Sequence, residues 1–184
     1  MKKIFSKGLV LTLVGLFVSS LIFAQQDKSK RASPPETATG TVAGSTITIN
    51  YSSPAVKGRK IWGDLVPYDK VWRLGANEAT TFKTSKDITV EGKKLPAGTY
   101  ALYALPTQNE WTFIFNSKLT QDGKPIWGIK DEEGNTTDDP KTEVLRVMAK
   151  PMKSSTFNER MKFDVNKSGF TLEWENLKVP VSIK

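Results

Sequence analysis

The 184-residue sequence predicts an all-β fold, an antiparallel β-sandwich of about nine short strands with two long loops. Three observations carry that expectation. Apolar residues recur at a period of two rather than 3.6, turn residues punctuate the chain at short intervals, and no stretch carries a long helical stripe. The same pattern would also suit a closed barrel, which the sequence does not separate from two packed sheets.

The first element is not part of the fold. Lys2, Lys3 and Lys7 precede an uncharged apolar run from Leu9 to Phe23, which ends at Ala24 before Gln25 and Gln26. That is the layout of a secretory signal peptide. A transmembrane anchor usually needs about 20 apolar residues, and this run is shorter and broken by Thr12, Gly15, Ser19 and Ser20. Residues 1–24 therefore read as a signal peptide cleaved near Ala24, leaving an exported chain, periplasmic or extracellular, with no transmembrane segment. Residues 25–35 are polar, charged and proline-ended, and read as a flexible leader. Residues 36–184 read as one domain, long enough to bury a substantial core. With no cysteine, its stability is expected to come from packing.

Glu36–Val42 and Thr46–Tyr51 form an expected hairpin around Ala43–Ser45, with Ile47, Ile49 and Tyr51 on one face. Thr80–Thr84 and Asp87–Glu91 follow, and Leu95–Gly98 suits a type I turn. Thr99–Pro106 carries bulk on both faces, which marks a central strand, and it pairs in expectation with Trp111–Asn116 across Gln108–Glu110. Thr142–Lys150, Thr156–Val165, Phe170–Trp174 and Leu177–Lys184 complete the set. Pro180 cannot donate to a ladder and predicts an edge position for the last strand. Trp111 and Trp174 share alternating faces with phenylalanine and leucine, so both are expected in the core. Gly63–Trp72 has room for a turn or two of helix. The long connections, Ser52–Tyr68 and Lys118–Lys141, are where binding is most often found in a β domain.

The stretches PAVKGRKIWG (Pro54–Gly63), LVPYDKVWR (Leu65–Arg73) and GANEAT (Gly75–Thr80) lie within Tyr51–Pro106. That segment resembles the bacterial domain-of-unknown-function family numbered 2911. WTFIFN, VLRVMAKP and LEWENLKVPVSI downstream resemble the same family, so the likeness spans Ser33 to Ile183. The resemblance implies export, typically from Bacteroidetes-type bacteria. The family has no assigned activity, so the resemblance bears on fold and localisation and not on function.

Composition excludes several chemistries outright. With no histidine and no cysteine, the chain holds no Ser-His-Asp triad, cysteine nucleophile, histidine-based zinc site or histidine-ligated haem. The formal charge of +8 falls to +5 without the three lysines of the signal peptide, and those charges are scattered rather than gathered in a stripe. A nucleic-acid partner is therefore not expected. The basic loop Pro54–Lys60 lacks P-loop spacing and reads as a solvated turn. Asp131, Glu133 and Asn135 match the first positions of an EF-hand loop, but Thr136 and Thr142 stand where its glycine and glutamate belong. No metal site and no cofactor are expected.

The densest polar cluster runs from Lys57 to Glu78 and contains Arg59, Lys60, Asp64, Tyr68 and Asp69. The candidate ligand-binding residues within it are Trp62, Trp72, Arg73, Asn77 and Glu78. A guanidinium grips carboxylate or phosphate, tryptophan offers a flat apolar face, and Asn77 beside Glu78 offers donor and acceptor to hydroxyls. A glycan or anionic small molecule fits that set. The competing reading pairs Arg73 with Glu78 internally and puts both tryptophans in the core. The expected function is a non-catalytic binding or interaction module. The alternative is a carboxylate-based hydrolase acting on glycan or another cell-envelope substrate, using Glu78 with Asp64 or Asp69.

Overall fold

A computed structural model describes residues 27–184, so the expected signal peptide and its cleavage point lie outside the described residues. The chain forms β1 (Pro35–Val42), β2 (Ser45–Ser52), β3 (Thr81–Thr84), β4 (Ile88–Val90), β5 (Lys93–Leu95), β6 (Gly98–Pro106) and β7 (Trp111–Asn116). There follow β8 (Thr120–Gln121), β9 (Lys124–Pro125), β10 (Ile129–Lys130), β11 (Thr136–Thr137), β12 (Glu143–Ala149), β13 (Met152–Asn166) and β14 (Gly169–Ser182). The fold is all-β, and every ladder between these strands is antiparallel.

One layer is a six-stranded sheet in the order β1-β2-β3-β6-β7-β12. Its first hairpin closes through Ala43 (φ 48°) and Gly44 (φ 75°). Two successive positive φ values suit the right-handed twist of the flanking strands. β6 is central, as its two-sided bulk predicts. Tyr100, Leu102 and Ala104 enter the main core, while Ala101 and Tyr103 enter a second cluster on the opposite face.

The other layer is the long β13–β14 ribbon, extended at its end by β4 through a Val90–Ile183 bridge. Thr89 and Lys184 exchange backbone hydrogen bonds of 2.7 and 2.8 Å there. On β13, Val56 N donates to Glu159 O at 2.7 Å and Met161 N to Pro54 O at 2.9 Å. Aromatic residues join the layers: Phe170 lies 5.7 Å from both Phe82 and Phe113, and Tyr51 lies 5.0 Å from Phe163.

Four details differ from the sequence reading. Phe170–Trp174 and Leu177–Lys184 are one element, β14, which turns back on itself at Glu175 (φ 54°). Ile183 N therefore donates to Ser168 O at 2.9 Å, although a straight strand of that length would separate them by roughly 50 Å. The last strand is not a simple edge either. Pro180 falls between Lys178, which pairs with β13, and Ser182, which accepts from Glu91 N of the β4–β5 turn, so no ladder needs its missing N–H. Gly63–Trp72 forms successive turns, not helix, with a Trp62–Val66 bridge. The Lys118–Lys141 loop contains the β8–β9 and β10–β11 hairpins, and its Ile126 and Ile129 cover Tyr103 and Ile114 on the second face of the sheet.

Candidate functional site

β3 pairs with β6 only as far as Thr81 opposite Ala101. Beyond that point the edge of β6 is taken up by Trp72, whose N–H donates to Ala104 O at 2.7 Å while Ala104 N donates back at 2.8 Å. Between the two ladder segments the chain makes an excursion. Thr80 closes it by donating its N–H to Arg73 O at 3.2 Å and its hydroxyl to Leu74 O at 2.7 Å. The closure forces Leu74 to φ 55° and Asn77 to φ 56°. Lys57 (φ 47°) and Asp69 (φ 60°) are also left-handed, so half of the eight such non-glycine residues in the described chain fall in this one region. Asparagine and aspartate enter this region readily, so the strain rests mainly on Leu74 and Lys57, at about 1–3 kcal/mol each.

The excursion frames a cluster of four tryptophans. Trp62 sits at 5.1 Å from Trp111, 5.7 Å from Trp174 and 6.1 Å from Trp72, in edge-to-face geometry each time. Trp72 stacks on Trp174 at 6.0 Å. Trp111 and Trp174 are buried, as their strand patterns predict, whereas Trp62 and Trp72 keep part of their surface.

Beside the cluster lies a cavity of about 220 Å³ walled by Ser33, Arg59, Trp72, Arg73 and Trp174. Arg73 is the unusual member. It is half-buried, and its Nε, like the Trp174 indole N–H, is buried without a hydrogen-bond partner among the described residues. Burial pulls its pKa down, and the one charged-group interaction opposing that shift comes from the Tyr103 phenol rather than from a carboxylate. Arg59 donates from Nε to Val56 O at 3.1 Å and from Nη2 to Ala55 O at 2.5 Å. Those carbonyls orient the guanidinium but leave its charge uncompensated. No Asp or Glu lines the cavity. A second cavity, of about 340 Å³, adjoins the same residues: Leu65, Trp72 and Arg73 line both, and Pro67, Lys70, Val71, Asn135 and Thr136 complete the second.

No curated protein and no solved structure matches the chain. The family described as "Protein of unknown function (DUF2911)" matches residues 33–183. The chain belongs to this family. The matched DUF2911 region begins at Ser33, itself a wall of the first cavity, and contains every other residue of both cavities.

Within this DUF2911 domain the sequence-predicted candidates divide into two groups. Trp62, Trp72 and Arg73 come together at the tryptophan cluster and its cavity. Asn77 and Glu78 do not, because the excursion turns them toward the N-terminal segment. Asn77 Nδ2 donates to Ser33 O at 3.1 Å. Glu78 accepts from Lys28 Nζ at 2.9 Å and from Arg31 Nη1 at 2.8 Å. The internal Arg73–Glu78 pair is thus corrected: Glu78 finds its cations in the leader. Burial raises the Glu78 pKa, but hydrogen bonds from Lys28, its own backbone N–H and Arg31 outweigh that and hold it at about 2. The leader itself has specific contacts, with a 3₁₀ turn at Lys28–Lys30 and an Arg160 guanidinium that donates to Ala32 O at 3.4 Å and Ser53 O at 2.9 Å.

Arg59 and Trp174 also line the cavity, and the sequence does not single them out. Arg59 sat in a loop with the composition of a solvated turn, and only the tertiary fold brings Trp174, from the far end of the chain, beside Trp72. In the acidic loop, Asp131 accepts from Asn135 N at 2.7 Å and from Asn135 Nδ2 at 3.2 Å, which closes a local turn. No group of three or more metal-ligating side chains converges among the described residues. No helix there is long and apolar enough to cross a membrane.

Proposed function

We propose that this is an exported, non-catalytic binding module that takes an anionic small molecule or acidic glycan between Arg59 and Arg73 against Trp72. The observation that carries this reading is the half-buried Arg73 guanidinium, on a cavity wall, with its Nε unpaired and no carboxylate partner. Partly desolvating a charge without pairing it is unfavourable. An anion that enters the cavity restores the missing interaction, and a planar guanidinium favours carboxylate or phosphate. Trp72 supplies the apolar face that a sugar ring or similar body needs.

A binding role accounts for the geometry better than the hydrolase alternative does. A carboxylate hydrolase needs a proton donor in the cleft. Glu78 is held ionised down to about pH 2 by the leader, and neither Asp64 nor Asp69 lines the cavity. Calorimetric titration with galacturonate, set against neutral galactose, tests the reading. Binding of the acid alone, without turnover, supports it; equal binding of both sugars, or of neither, removes it. The export part rests on the signal-peptide pattern of residues 1–24. N-terminal sequencing of the protein from its native cells should start near Gln25, and a retained Met1 would refute it.

A further inference from the structure

We infer that the two adjoining cavities form one extended site for an acidic oligosaccharide, with its anionic groups at Arg59–Arg73 and at Lys70. This rests on the binding reading above and deepens it. At about 220 Å³ the first cavity falls below the range of roughly 300–1,000 Å³ usual for small-molecule sites. It is not a closed end, because Leu65, Trp72 and Arg73 are walls of the 340 Å³ cavity as well. Leu65 is 43% exposed, a large apolar side chain left open to solvent where the two cavities meet. A chain laid across it would cover that surface.

The chemistry of the walls selects the ligand. Three cationic side chains and no acidic one line the pair of cavities, in a sequence that carries 19 aspartates and glutamates. Cations on both sides of the shared wall ask for a ligand with repeated negative charge, not a single anionic end. Asn135 and Thr136 in the second cavity, with Ser33 in the first, offer amide and hydroxyl groups to ligand hydroxyls. Trp72, common to both, gives an apolar surface at the junction. Charge, hydroxyl partners and an aromatic surface together describe an acidic sugar chain. An acidic peptide would satisfy the cations too, and tetraglutamate in the test below separates it from the sugar.

The test is calorimetric titration of the purified protein with oligogalacturonides of one to four residues, and with tetraglutamate. The variants are Lys70→Gln and Arg73→Met. The longer oligomers should bind about tenfold more tightly than galacturonate, the gain expected from one further charge-assisted contact. Lys70→Gln should return them to the affinity of the monomer and leave the monomer unchanged, and Arg73→Met should abolish binding of all of them. Monomer binding that depends on Arg73, with no gain from length or no effect of Lys70→Gln, overturns the extended site and leaves the first cavity standing. No binding of any uronide overturns both. Tetraglutamate binding more tightly than the tetramer overturns the choice of sugar.

Discussion

Arg31 Nη1 donates to Glu78 Oε2 at 2.8 Å, and this contact ties the segment before the first strand to the loop that presents Arg73. Lys28 adds a second cation on Oε1 at 2.9 Å. Because the folded pKa of Glu78 is depressed from 4.5 to about 2, the pair contributes its full stability above about pH 4.5 and loses it as the pH falls toward 2. Solvent reaches Lys28, so the contribution is about 1 kcal/mol. Glu78→Gln should lower stability by that amount at neutral pH and flatten the acid limb of the stability profile. Urea melts at stepped pH measure both, and a variant with an unaltered acid limb would show that Glu78 has no such role.

The tryptophan cluster is expected to hold the two layers together where the site is built. Trp111→Ala and Trp174→Ala should each cost about 3–5 kcal/mol, since both side chains are buried and pack against Trp62 and Trp72. Denaturant melts check this, and a loss below about 1 kcal/mol for either would be inconsistent with the packing described.

The fold-back of β14 depends on Gly169. A Cβ there would lie 2.0 Å from Val181 O and 2.9 Å from Ile183 N, and its φ of 144° is one that other residues rarely adopt. Gly169→Ala should destabilise by at least about 3 kcal/mol, because backbone on both sides has to move. Gly123→Ala, at φ 71° with nothing within 4 Å, should cost only about 1 kcal/mol. Equal effects in thermal melts would mean that the close approach is not what Gly169 provides.

Sequence reading reached the strands because alternation is a local property. Ile47, Ile49 and Tyr51, or Trp111, Phe113 and Phe115, declare a face without reference to the rest of the chain. It missed the bend in β14, which is set by Glu175 and by the approach of Ser168 to Ile183, two positions far apart in sequence. The site was legible in part for the same reason. Trp62, Trp72 and Arg73 stand close in the chain and meet in space. Glu78 is nearly adjacent to Arg73, yet the left-handed turns at Leu74 and Asn77 send the two side chains to different neighbours. Arg59 and Trp174 become site residues only through tertiary contact.

If Arg73 serves a ligand and not the fold, its loss should remove binding and leave stability intact. Arg73→Met and the native protein are unfolded in urea with and without galacturonate at one hundred times the dissociation constant of the native protein. The native protein should gain about 2.7 kcal/mol from the sugar acid. The variant should match or exceed the unliganded native stability, because it sheds an unpaired, partly desolvated charge, and should gain nothing from the ligand. A variant that loses about 3–5 kcal/mol without ligand, or that still responds to galacturonate, would contradict the account.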